Sequence, residues 1–244
     1  MIKRIYCLVA LLLIFSTVFC GCSAENGYEN LLCISEQDLY LYSLPEEIRK
    51  LYERNPETAD FVFSYKELKG TRGEVDLSEY SESDEVPLFM QWDKRWGYME
   101  YSGDCVALTG CGPVCLSMVA FHLTKDENMS PDRIVEFAVK NNYYQEGYGS
   151  LWTLISEGGE KLGLNVEELP LVESIITEKL EQGIPIICVM GPGDFTSTGH
   201  FVVMHKYENG KIYINDPNSY ENSEKGWEYE SIAPQIKNLW ACSL

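Results

Sequence analysis

This 244-residue sequence predicts a mixed domain of helices and antiparallel strands. Three observations carry that expectation. An apolar helical stretch opens at Thr109-Gly110-Cys111-Gly112-Pro113, a continuous apolar run fills Pro185–Met190, and two strands meet across Asn209-Gly210. In chain order, Leu44–Tyr52 starts a short amphipathic helix with Glu46 and Glu47 in its first turn, and Phe61–Tyr65 is apolar enough to dock on a larger domain. Asp76–Glu85, acidic and serine-rich, reads as an exposed linker. The next helix is expected from about Pro113 through Leu123, since proline suits a first turn where its missing N–H has no partner. Leu116, Val119, Ala120 and Leu123 then recur at helical spacing as one buried stripe. Ser130-Pro131 caps and starts a further helix. Gly149–Trp152 opens another, and Ile175–Gln182 forms one more. Pro185–Met190 reads as a buried strand feeding the loop Gly191–Gly199. Gly199–His205 and Ile212–Pro217 are the two arms of a hairpin, for which Asn-Gly is a strong short-range signal.

The chemistry concentrates at Cys111. Placed just before a helix, it faces free N–H groups and the positive end of the helix dipole, both of which stabilise a thiolate. Its flanking glycines leave room for a substrate backbone. Most free cysteines are small core hydrophobes, so a nucleophile also needs a base, usually histidine, oriented by a third group. There are three histidines. His122, eleven residues along the same helix, is roughly 16 Å from Cys111 and out of reach. His200 and His205 have opposite parity on one strand and point to opposite faces. His200, beside the loop, is the favoured partner, whereas His205 reads as structural. Hairpin length then decides the third group. A two-residue loop places Asn215 on the His200 face, and a three-residue loop places Asp216 there.

Gly110-Cys111-Gly112-Pro113, Gly199-His200-Phe201-Val202-Val203 and Asn215-Asp216-Pro217 together resemble the peptidase family 39-like group of the papain clan, related to the proteases that trim double-glycine leaders from bacteriocins. Val86–Gly97, which includes Gln91, Trp92 and Trp96, is similar to that group's opening segment, so the resemblance covers about Val86 to Leu244. It implies an α+β, papain-like cysteine peptidase fold with the nucleophile helix packed on an antiparallel sheet. It also implies roles: Cys111 as nucleophile, His200 as base, Asp216 as the group orienting it, and Gln91 with the Cys111 N–H as oxyanion donors. Losing one such donor typically costs about 3 kcal/mol. The reaction would need no metal or organic cofactor and would take a peptide or protein substrate. The same fold also admits an amidase or transpeptidase acting on cell-wall peptides, like NlpC-type relatives of the clan, or a non-catalytic surface lipoprotein that binds peptides.

Residues 1–22 read as a secretory signal: Lys3 and Arg4, an apolar run from Leu8 to Phe15 too short to span a bilayer permanently, and Phe19-Cys20-Gly21-Cys22. Gly21-Cys22 resembles a lipoprotein cleavage box with Cys22 acylated, and an ordinary secreted protein is the alternative. Both readings put the chain outside the cytoplasmic membrane, in the first case lipid-anchored to its outer face. The expected organisation is signal 1–22, an N-terminal arm 23–85 and a catalytic domain 86–244. Removing the signal leaves 17 basic against 38 acidic side chains, a net charge of −21. That balance speaks against nucleic acid or anionic lipid as partners and favours solubility and basic substrates. With Cys7 and Cys20 leaving with the signal and Cys22 and Cys111 assigned, Cys33, Cys105, Cys115, Cys188 and Cys242 remain, an odd number that forbids complete disulfide pairing. A redox pairing of Cys111 with Cys105 or Cys115 competes with this reading, while a zinc site from these cysteines lacks the usual close pairs.

Overall fold

A computed structural model describes residues 35–244, so the signal, the Cys22 box and Cys33 lie outside the described residues. Six strands form one antiparallel sheet: β1 (Asn165–Glu168), β2 (Ile186–Met190), β3 (His200–Glu208), β4 (Lys211–Asn215), β5 (Gly226–Trp227) and β6 (Ile236–Ser243), in the spatial order β1-β6-β2-β3-β4-β5. β2 is buried at every position because both faces of the sheet are covered, which explains a continuous rather than alternating apolar run. Ile187, Val189, Phe201 and Val203 pack with Val114–Phe121, and Ile186, Cys188, Met190, Val202 and Met204 pack with Ile176 and Leu180 on the opposite side.

Helices α1 (Glu46–Arg54) and α2 (Ala59–Leu68) precede the sheet, and α3 (Cys111–Thr124) lies across it. These are followed by α4 (Pro131–Lys140), α5 (Thr153–Lys161), α6 (Glu173–Glu181) and α7 (Tyr220–Glu224). This is the predicted α+β arrangement, a cysteine helix laid on an antiparallel sheet. α3 departs from expectation in two ways. It begins at Cys111 itself rather than near Pro113, because Gly110 serves as its cap and Pro113 still falls within the first turn. Instead of one buried stripe, every residue from Gly112 to Phe121 is buried, because the helix is enclosed on all sides.

Leu39–Leu244 form one compact unit. Within this unit the arm is packed rather than pendant: Ile48 and Leu51 of α1 and Phe61, Val62 and Tyr65 of α2 share a buried cluster with Tyr98, Cys105 and Ala107. The Phe61 and Tyr98 rings stack at 4.2 Å. The acidic stretch 76–85 is mostly exposed as expected, yet Leu77 is only 1% exposed and Tyr80 meets Phe89 edge-on. Two apolar side chains in an otherwise polar stretch are enough to pin it to the core.

Candidate active site

The start of α3 and the start of β3 are brought together. At the first position of a helix, Cys111 has around it backbone N–H groups that no helical carbonyl can accept. Its glycine neighbours are closely packed by the chain itself. A Cβ on Gly112 would meet Ser150 Cβ at 2.6 Å, and one on Gly110 would meet the Val106 carbonyl oxygen at 2.6 Å. Burial pushes the half-buried Cys111 thiol up. The hydrogen bond and charge of His200, with the N–H groups of Phe201 and Gly112, outweigh burial and hold it below the ordinary thiol range.

His200 is 7% exposed and Asp216 1% exposed. His200 Nε2 and Asp216 Oδ1 lie 2.7 Å apart. Burial favours a neutral imidazole, but the charge of Asp216, its hydrogen bond and the nearby thiol raise His200 to about 10. Burial likewise raises Asp216, and the His200 charge with the surrounding donors brings it below the usual carboxylate value. The shifts at Cys111 and His200 both run in the direction that favours a thiolate beside an imidazolium.

Asp216 takes the position that the hairpin alternatives left open, by a route neither alternative contains. The loop has two residues, with Asn209 at φ 54 and Gly210 at φ 79, and it pairs Glu208 with Lys211. Between Met204 and Lys206 the register then shifts at a β-bulge, so that His205 has no partner and Val203 pairs with Asn215. Asp216 is thereby level with Val202 and shares the parity of His200. Asn215 faces the other way, donating from Nδ2 to the carbonyl oxygens of Val86 and Pro87 at 3.0 and 3.2 Å.

Gln91 is buried at the same cleft. Its backbone N–H donates to the Pro217 carbonyl at 2.7 Å and its Nε2 to the Ala107 carbonyl at 2.6 Å, while Oε1 has no partner. The cleft, about 760 Å³, is lined by Gln91, His200 and Asp216, by the loop Gly193–Gly199, and by Leu51–Glu57 from the arm except Tyr52 and Glu53. The other two histidines are remote from Cys111 in chemistry as well as position. Burial lowers His122, and burial with Lys206 and His122 nearby lowers His205 to about 4. Among the described residues, no three His, Cys, Asp or Glu side chains gather into a metal-holding group.

Sequence reasoning missed the groups that hold Asp216. Asn218 N–H donates to Oδ1 at 2.8 Å, Asn222 Nδ2 donates to Oδ2 at 2.9 Å, and the Asp216 N–H donates to Ser223 Oγ at 2.9 Å. The turn Asp216-Pro217-Asn218-Ser219 is visible as a turn in the sequence. Nothing in the sequence marks Asn222, which reaches Asp216 only because α7 folds back.

A model of the Peptidase_C39 like family matches residues 83–242. Among solved structures the chain is similar to the peptidase domain of Streptococcus ComA, a bifunctional ABC transporter involved in a quorum-sensing pathway. They share 20% identity over 55% of this chain and 90% of that one, with a TM-score of 0.43. It is also similar to a C39-like peptidase from Bacillus anthracis, at 14% identity over 66% of this chain and 96% of that one, with a TM-score of 0.43. No curated protein matches.

Proposed function

The chain belongs to the Peptidase_C39 like family, a cysteine peptidase-like class of papain-like fold, and from that premise we propose that it hydrolyses peptide bonds through Cys111, His200 and Asp216. The observation that carries this reading is a thiol at a helix start that His200 holds below its ordinary range, with the buried His200 imidazole itself 2.7 Å from the Asp216 carboxylate. In the proposed reaction the Cys111 thiolate attacks the scissile carbonyl carbon, and the His200 imidazolium gives its proton to the leaving amine. His200 then takes a proton from the water that releases the acyl group, and Asp216 keeps the ring oriented and its cation stabilised throughout. The Cys111 N–H and the Gln91 N–H not spent on Ala107 are assigned to the oxyanion, where fixed donors cost no reorganisation. Export, with lipid on Cys22, belongs to the same proposal and is supported by residues 1–22 as a sequence pattern.

The test is alkylation of the full chain with iodoacetamide across pH, the modified residue being mapped by mass spectrometry, with His200→Ala beside it. Cys111 is expected to react fastest, well below the ordinary thiol pKa of about 8.5, and to slow markedly without His200. Reactivity no greater than that of the other cysteines would overturn the assignment.

A further inference from the structure

The family match begins at residue 83, yet Leu51, Asn55, Pro56 and Glu57 line the cleft from the segment before it. Two hydrogen-bond relays run from that segment to the Asp216 carboxylate. In the first, Asn55 Nδ2 donates to the Asn218 carbonyl oxygen, and the Asn218 N–H donates to Asp216 Oδ1 at 2.8 Å. In the second, the Glu57 carboxylate accepts the N–H groups of Tyr220 at 3.0 Å and Glu221 at 3.3 Å. These residues open α7, whose Asn222 donates to Asp216 Oδ2 at 2.9 Å. Each oxygen of Asp216 is thus reached separately.

We infer that the turn Asn55–Thr58 is a positioning element of the site, in which Asn55 and Glu57 hold the loop that fixes Asp216 against His200. The inference rests on the peptidase reading of Cys111 and His200 given above. Asp216 lies just beyond the last residue of β4, so the sheet stops short of it and its orientation is only as good as the loop that follows. Orienting groups must sit within about 0.5 Å of their working geometry, and they do so only when their own supports are rigid. The arm supplies that rigidity. Thr58 is fully buried and donates from Oγ1 to the Asn55 carbonyl at 2.7 Å. Asn55 Oδ1 accepts the Glu57 N–H at 3.0 Å, and α1 and α2 on either side are anchored by Leu51, Phe61 and Val62. The exposed Glu57 carboxylate accepts the first two backbone N–H groups of α7, from a segment more than 160 residues away in sequence.

The experiment uses the full chain carrying Asn55→Ala, Glu57→Ala, both together, or Glu57→Gln. The iodoacetamide rate at Cys111 is followed from pH 5 to 9 and the thermal midpoint is measured in parallel. A loosened Asp216 stabilises the imidazolium less, so the pH midpoint of Cys111 reactivity should rise. The double variant is expected to shift by about one unit, roughly a tenfold slower reaction at acidic pH. Each single alanine variant should shift less, and Glu57→Gln least because it keeps one acceptor oxygen. An unchanged profile in the double variant overturns the inference, since a merely structural tether would move the thermal midpoint and not the profile. If the double variant does not fold, the single variants and Glu57→Gln decide by the same criterion. A wild-type Cys111 with no depressed midpoint, insensitive to His200→Ala, would remove the peptidase reading and this inference with it. A depressed wild-type profile unmoved by the arm variants removes the inference alone.

Discussion

Cys111 and Cys115 stand one turn apart on α3, and His200 and His205 stand on one strand, but the members of each pair live under opposite electrostatics. Cys111 is held below the ordinary thiol range, whereas burial, with the charges of Cys111 and Asp216, drives Cys115 well above it. His200 is raised to about 10 and His205 is lowered to about 4. In both pairs the member at the beginning of its element has unspent donors or a charged partner, and the member further in has apolar neighbours or an unmatched bulge. Residue type is the same within each pair, so position alone makes the chemistry.

The largest expected effect breaks the thiol pair. Cys111→Ala should abolish peptide hydrolysis with the fold intact, while Cys115→Ala should keep turnover near wild type and cost about 1 kcal/mol of stability in a denaturant titration. Digestion of a peptide library read by mass spectrometry separates the two, and equal loss in both variants would erase the distinction.

A second contrast sets the two glycine neighbourhoods of the site against each other. At Gly112 a methyl group collides with Ser150, so Gly112→Ala should cost about 1–3 kcal/mol and displace the start of α3. At Gly199 nothing lies within 4 Å of the added Cβ, so Gly199→Ala should change stability by less than about 1 kcal/mol. Chemical denaturation of both variants measures the difference, and comparable costs would show that Gly112 is not the packing contact described.

The smallest effect concerns pH. His205 has a folded pKa below its unfolded value, so its contribution to stability is present above about pH 6.5 and is lost as pH falls through about 4. His200 has a raised folded pKa, so its contribution is present below about pH 6.5 and is lost as pH rises towards about 10. The variant His205→Asn should therefore flatten the loss of stability on acidification, and His200→Asn should flatten the loss on the alkaline side. Urea midpoints measured from pH 4 to 10 would show the two slopes, and a single common slope would contradict the contrast.

Much of this was legible in the sequence because it depends on short stretches. Proline two residues after Cys111 marks a first turn wherever that helix packs, Asn209-Gly210 favours left-handed backbone and marks a hairpin whose loop length it leaves open, and the apolar run at 185–190 has no alternative to burial. The bulge at His205 was not legible. Nothing in Met204-His205-Lys206 distinguishes a paired residue from an extruded one, and that choice alone exchanges Asn215 for Asp216 beside His200. The anchoring of the acidic stretch by Leu77 was equally hidden, since a lone leucine among acids and serines carries no periodicity.

By itself, then, the sequence determined the family, the start of the cysteine helix to within two residues, and the strand that carries His200, because local backbone preferences and short motifs specify these without reference to distant residues. The tertiary structure decided the register of β3 on β4, the collision that makes Gly112 necessary, and the meeting of Asn55 and Glu57 with the loop after Asp216. Each of these depends on side chains from separate elements competing for one space or one hydrogen-bond partner. A pattern read along the chain contains the competitors, and only their packing shows which of them wins.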